Sequence, residues 1–130
     1  MLRECWARGV VLAGLSAGSL CWFSEAITAF HGRPQRIEGL GLLPWSNCVH
    51  YDGEPARRTA YLQAVLDGMA PGYAAQDGAA LHFVGSELAR VVSSRPAARA
   101  YRVEAVDGAP RETPLDAVLL GDARDLVAAA

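Results

Sequence analysis

The sequence predicts an α/β fold on a doubly wound, mainly parallel sheet with a β-rich C-terminal portion, and three observations predict it. An apolar run, Val10 to Leu15, leads straight into Gly14-Leu15-Ser16-Ala17-Gly18; helical spacing follows Glu54-Pro55; and from Tyr73 onward the chain breaks into short β-rich runs. A continuous apolar run is what a parallel strand buried on both faces requires. The pattern G-x-S-x-G at its end asks for a sharp strand-to-helix turn that lifts a serine Oγ above the sheet, with the flanking glycines keeping Cβ atoms out of the corner.

Taken in order, residues 2 to 8 read as the last turns of a helix, stopped by Gly9, and Val10 to Leu15 as the buried parallel strand. Ala17 to about Phe30 reads as the helix after the turn, its free N–H groups and dipole lying under Ser16. His31 to Glu38 is a polar Gly/Pro/Arg loop, Leu40 to Pro44 a short strand, and Asn47 to Asp52 a loop or strand end. Glu54-Pro55 opens a helix to about Met69, with proline near the first turn and Ala60, Leu62, Val65, Leu66 and Met69 at helical spacing; Pro71-Gly72 ends it. Strands follow over Tyr73 to Ala75, Ala79 to Val84, Leu88 to Ser93, Ala100 to Val106 and Arg111 to Pro114, with Asp107-Gly108 as a hairpin turn. Asp122 to Ala130 reads as a frayed terminal helix.

At 130 residues and 52% hydrophobic composition the chain has single-domain length and enough apolar surface for a core, which points away from disorder. Its 12 cations, all arginine, balance 14 acids without a basic block that would follow a phosphate backbone, so nucleic acid is not expected as a partner. Cys5, Cys21 and Cys48 are odd in number and lack C-x-x-C spacing, which points away from disulfides and zinc and toward a reducing cytoplasm. Arg3 and Arg8 ahead of an apolar stretch superficially resemble a signal peptide, but Glu4 and the interrupting glycines and serines argue against it. The stretch is also shorter than the roughly 20 residues of a spanning helix, so no membrane partner is expected.

Ser16 is the candidate nucleophile, and a serine nucleophile needs a base within hydrogen-bond reach and a third group to orient that base. Of the three histidines, His50 follows a short apolar element in Val49-His50-Tyr51-Asp52-Gly53-Glu54, where a sheet edge hands residues to an active face. His82 alternates with Leu81 and Phe83 in a strand pattern and reads as a solvent-facing strand residue; His31 sits in a polar loop. Glu25 competes as the acid but reads as part of a solvated helix face, and Cys21 as a small apolar residue. Arg57 and Arg58 are able in principle to grip a substrate carboxylate as a fork, although a solvated helix face is the stronger reading.

From Gly9 to about Gly121 the chain resembles the C-terminal part of the peptidase E and cyanophycinase family of serine peptidases. The resemblance is carried by V-L-A-G-L-S-A-G-S-L-C-W-F at Val11 to Phe23, V-H-Y-D-G-E at Val49 to Glu54 and Q-D-G-A-A-L-H-F at Gln76 to Phe83. It implies Ser16 as nucleophile, His50 as general base and Ala17 as the backbone oxyanion donor, on a class I glutamine amidotransferase-like fold without cofactor or metal. Where the family has a glutamate, this chain has Asp77, one methylene shorter; the acid that some members carry after the elbow helix is replaced by Thr28-Ala29-Phe30. A serine rather than a cysteine at the elbow tip points away from glutamine amidotransferase chemistry.

The implied activity is that of a serine peptidase on small peptides, including aspartyl dipeptides. The alternatives are a catalytically impaired remnant or interaction module, and an esterase or amidase sharing the elbow. Family members carry further strands and a glycine-rich loop ahead of the elbow, so the expectation is one N-terminally shortened domain whose Met1 is internal to a longer gene. Pairing with another chain and decay are the competing explanations. The shorter form is then expected to be weak or inactive, and the Val10–Leu15 edge to be exposed unless something, such as a second copy in a homo-oligomer, covers it.

Overall fold

The computed structural model describes residues 1–30 and 32–121. His31 and the expected helix from Asp122 to Ala130 lie outside the described residues. The elements run α1 (Leu2–Ala7), α2 (Ala17–Leu20), β1 (Phe23–Phe30), β2 (Arg33–Glu38), β3 (Leu43–Cys48), α3 (Pro55–Leu66), β4 (Gly72–Ala75), β5 (Ala79–Val84), β6 (Glu87–Ser93), β7 (Ala100–Val106), β8 (Ala109–Leu115) and β9 (Ala117–Leu119). Six strands form a sheet in the order β2-β1-β3-β4-β7-β8, and β5-β6-β9 form a second, smaller one. Within the large sheet, β1–β3 and β3–β4 are parallel while β1–β2, β4–β7 and β7–β8 are antiparallel, so the sheet is mixed rather than mainly parallel.

Both faces of its parallel centre are covered. On neighbouring positions of β1, Ala26 packs with Leu20 of α2 and Val49, while Ile27 packs with Tyr61 and Val65 of α3. This alternation places one helix on each side, the layering that makes an α/β domain. A third apolar cluster, built on Phe23, Leu43 and Tyr73 with Leu81, Phe83 and Leu88 against it, joins the large sheet to the small one. Edge-to-face contacts of Phe83 with Phe23 and Tyr73, at centroid separations of 5.6 and 5.4 Å, lie at its middle.

Several of the expected elements also need correction. Ala17 to Phe30 is not one helix: α2 is a single turn, and Phe23–Phe30 is instead a strand pairing with β2 on one side and β3 on the other. Its β-branched Ile27 and Thr28 fit a pleated surface, and two ladders outweigh a modest local helix preference. Arg33–Glu38 is a strand rather than a loop; β2 is the sheet's outer edge, where charged residues and Pro34 are tolerated because one side needs no ladder donors. Finally, Val10 to Leu15 forms no strand, since no described residue pairs with it; Val11 and Leu15 are 88% and 85% exposed. The expected strands from Tyr73 onward are present within one or two residues, and β9 is additional. Asp107 and Gly108 both have positive φ (52° and 78°), the geometry of a type I′ hairpin turn between β7 and β8. No described helix is long and apolar enough to cross a membrane.

Candidate active site

Ser16 caps α2 with φ 55° and ψ −123°, a conformation that a non-glycine residue adopts only at about 1–3 kcal/mol of strain. The bend is tight because Gly14 and Gly18 meet. A Cβ on Gly14 would lie 2.1 Å from the Gly18 carbonyl oxygen, whereas one on Gly18 would meet nothing within 4 Å. Of the two flanking glycines, therefore, only Gly14 is required sterically among the described residues.

His50 stands two residues beyond β3 and also has positive φ, 55°. Its backbone is held from both sides: the Gly53 N–H donates to the His50 carbonyl at 3.2 Å, and the Tyr51 N–H to the Ala75 carbonyl at 3.2 Å. The imidazole Nε2 lies 3.0 Å from Ser16 Oγ, and Nδ1 lies 2.6 Å from Asp77 Oδ1. An ionised carboxylate only accepts, so Nδ1 donates to Asp77; the Nε2 of a neutral ring is then free to accept the Ser16 hydroxyl proton. The His50 and Asp77 side chains are 37% and 45% exposed.

Asp77 belongs to a pinned turn between β4 and β5. Its own N–H donates to Asp52 Oδ1 at 3.1 Å, Gln76 Oε1 accepts the Arg99 N–H at 2.9 Å, and the Gly78 carbonyl accepts the Ser94 N–H at 2.8 Å. The Ala17 N–H, one residue after Ser16, has no acceptor among the described residues and is available to a ligand. With α2 only four residues long, it has no long helix dipole, in contrast to the helix expected after the turn. Around these groups opens a cleft of about 740 Å³, lined among others by Leu12, Trp22, Leu42, Leu81 and Phe83.

The other candidates lie elsewhere or are occupied. His82 is exposed on β5 at the cleft rim. Glu25 is on β1, ion-paired with Arg36 and accepting the Ala70 N–H at 3.2 Å, so its expected place on a helix face does not hold. Arg57 is buried rather than solvated, bound to Glu54 Oε2 at 3.0 Å and to the Val49 carbonyl at 3.3 Å. Arg58 pairs with Glu112; neither arginine lines the cleft. Burial pushes the Cys48 thiol up to about 12, partly offset by the neighbouring Arg57 guanidinium. Among the described residues no three His, Cys, Asp or Glu side chains converge as metal ligands. Sequence reading overlooked Asp52, Ser19 and Asn47, which brace the site; all three lie in or beside the motif stretches that carry Ser16 and His50.

A family model described as peptidase family S51 matches residues 1–91. The uncharacterized peptidase YgaJ of Bacillus subtilis (strain 168) is 48% identical over 122 residues, which cover 93% of this chain and 53% of that protein. The chain thus spans about half the length of the curated relative it matches. No solved structure matches it. With the serine, the histidine and the acid at the motif positions in hydrogen-bond contact, and a family match across well over half its length, the chain belongs to peptidase family S51, the peptidase E-like family.

Proposed function

We propose that this chain carries the catalytic groups of a serine peptidase acting on small peptides, with Ser16 as nucleophile, His50 as general base and Asp77 as the acid that orients the imidazole. The observation that carries this reading is the contact between Ser16 Oγ and His50 Nε2, 3.0 Å apart, made by a serine held at positive φ on a one-turn helix. Strain of this kind persists only where surrounding structure enforces it, and it is concentrated at functional sites. The parallel centre of the sheet, covered by a helix on each face, also suits the class I glutamine amidotransferase-like architecture that the family resemblance implies.

His50 Nε2 takes the hydroxyl proton as Ser16 Oγ attacks the peptide carbonyl carbon, and the carbonyl oxygen becomes an oxyanion beside the Ala17 N–H. Asp77 stabilises the imidazolium without taking its proton. As the tetrahedral intermediate collapses, the C–N bond breaks and His50 Nε2 gives its proton to the leaving amine. Water then attacks the acyl-serine by the same route and releases the carboxylic acid product. One oxyanion donor is worth about 3 kcal/mol of transition-state stabilisation.

Family kinship suggests dipeptides that begin with aspartate. A second reading, an esterase or amidase for apolar acyl groups, is favoured by the cleft itself, whose described lining is rich in Leu, Phe and Trp side chains. A fluorophosphonate probe tests the mechanism: labelling that disappears in Ser16→Ala and in His50→Ala supports it, and equal labelling of Ser16→Ala refutes it. Aspartyl dipeptides compared with apolar esters and amides then separate the two substrate readings.

A further inference from the structure

We propose that Asn47 is a positioning residue that sets the Ser16–His50–Asp77 geometry, because its single side chain ties together the three segments that carry them. The inference rests on the proposed role of those three residues. Asn47 lies on β3, three residues before His50, and is completely buried at 0% exposure. Its Oδ1 accepts the Ser19 hydroxyl at 3.0 Å, and Ser19 lies on α2, the turn that Ser16 caps. Its Nδ2 donates to the Tyr73 carbonyl at 2.9 Å, and Tyr73 lies on β4, the strand that leads to Asp77.

The direction of each bond is forced. A backbone carbonyl only accepts, so the amide end facing Tyr73 is the NH2; the opposite end is then the oxygen, and the Ser19 hydroxyl must point its hydrogen at it. Burying an amide is unfavourable unless every polar atom finds a partner, so packing alone would favour an apolar residue here. The strands already have a backbone ladder in which Asn47 is aligned with Tyr73. The element that lacks such a ladder is α2, one turn long with Leu20 as its only buried residue. Among the described residues the turn is tied at its C-terminal end only to the loop before β3, where the Leu40 N–H donates to the Cys21 carbonyl at 2.8 Å; Asn47 supplies the side-chain link from Ala17–Leu20 to β3, and so fixes the distance between Ser16 Oγ and His50 Nε2.

The role separates from a purely structural one in a set of variants: Ser19→Ala, Ser19→Thr, Asn47→Ala and the double variant Ser19→Ala/Asn47→Ala. For each, the rate of fluorophosphonate labelling is measured at a temperature where circular dichroism shows the fold intact. Misplacement of a reacting group by about 1 Å is worth on the order of a hundredfold in rate, so Ser19→Ala and Asn47→Ala should each label between about tenfold and a hundredfold more slowly. Ser19→Thr, which keeps the hydroxyl, should recover most of the rate. The double variant should be no slower than the slower single one, since both break the same link. Folded single variants that label at the wild-type rate, or single effects that multiply in the double variant, overturn the proposal.

The low-field proton resonance of His50 Nδ1–H gives a second readout that needs no turnover. It should be present in the wild type and exchange-broadened in Asn47→Ala, and its retention there at wild-type sharpness overturns the proposal. A wild type that takes no label but shows this loss supports Asn47 as the positioning residue while refuting the hydrolase reading.

Discussion

The same substitution at the two ends of the elbow should have opposite effects on stability. In Gly14→Ala the new Cβ lies 2.1 Å from the Gly18 carbonyl oxygen, and ordinary contact begins at 3.4 Å, so the backbone must open by about 1.3 Å (3.4 less 2.1). Both atoms in the clash sit on or next to main chain, so no rotamer change relieves it, and the overpacking cost belongs at the upper end of the usual range, about 3 kcal/mol. For a chain of this size that is a drop in melting temperature of about 12 °C. In Gly18→Ala the Cβ meets nothing within 4 Å, and Gly18 is absent from the residues with positive φ. It sits inside α2, where alanine is favoured over glycine by up to about 1 kcal/mol, so that variant should melt at or slightly above the wild type. Thermal and urea unfolding monitored by circular dichroism read both values. If the two variants lose stability equally, the elbow is not closed by contact between these glycines.

Two further predictions concern the core. The Ser46 hydroxyl donates to the Ala70 carbonyl at 2.6 Å, so at 2.8 Å it is Tyr61 that donates to Ser46; Tyr61→Phe should cost about 1 kcal/mol in urea unfolding, and Ser46→Ala, which orphans both partners, more than that. For Cys48, whose thiol is raised from 9.0 to about 12 by burial, the unfolded chain releases this proton first as pH rises. Its contribution is therefore complete below about pH 9 and is lost as pH climbs toward 12, and Cys48→Ala should flatten the alkaline fall in stability measured by denaturant midpoints.

How far the sequence reveals the molecule depends on how local the determining forces are. From Tyr73 onward the strands were legible because alternation and turn residues such as Asp107-Gly108 act within a few positions. Phe23–Phe30 was not, because its state is decided by ladders to β2 and β3 that local propensity does not contain. The strand placed at Leu40 to Pro44 in fact runs over Leu43–Cys48, through Ser46 and Asn47, both fully buried. A hydrophobic pattern reads polar residues as surface, and here each is satisfied by partners distant in sequence, Tyr61 and Ala70 for one, Ser19 and Tyr73 for the other. Ser16 and His50 are legible from their motif contexts and Asp77 from the family resemblance, and the three side chains form a continuous hydrogen-bonded chain. The braces Ser19, Asn47 and Asp52 lie in or beside the same stretches, but no spacing rule assigns a bracing role to a serine, asparagine or aspartate there.

Asp77 stands where the family resemblance places a glutamate, and the fold explains how a shorter acid reaches the imidazole. The turn at Gln76–Gly78 is drawn in by three anchors, Asp52 on the Asp77 N–H, Gln76 on the Arg99 N–H and Ser94 on the Gly78 carbonyl, and Gly78 turns it at φ +90°. These bonds bring Asp77 Oδ1 to 2.6 Å from His50 Nδ1, leaving no gap for another methylene. Asp77→Glu keeps the charge but extends the side chain by about 1.5 Å. The longer arm must fold back or push the imidazole away from Ser16, and a misplacement of this order should slow fluorophosphonate labelling at least tenfold. Asp77→Asn, which keeps the length and loses the charge and the tautomer preference, should slow it by about 10⁴-fold. A glutamate variant that labels as fast as the wild type would show that the turn yields to the acid, and that the anchors at Asp52, Arg99 and Ser94 do not set its reach.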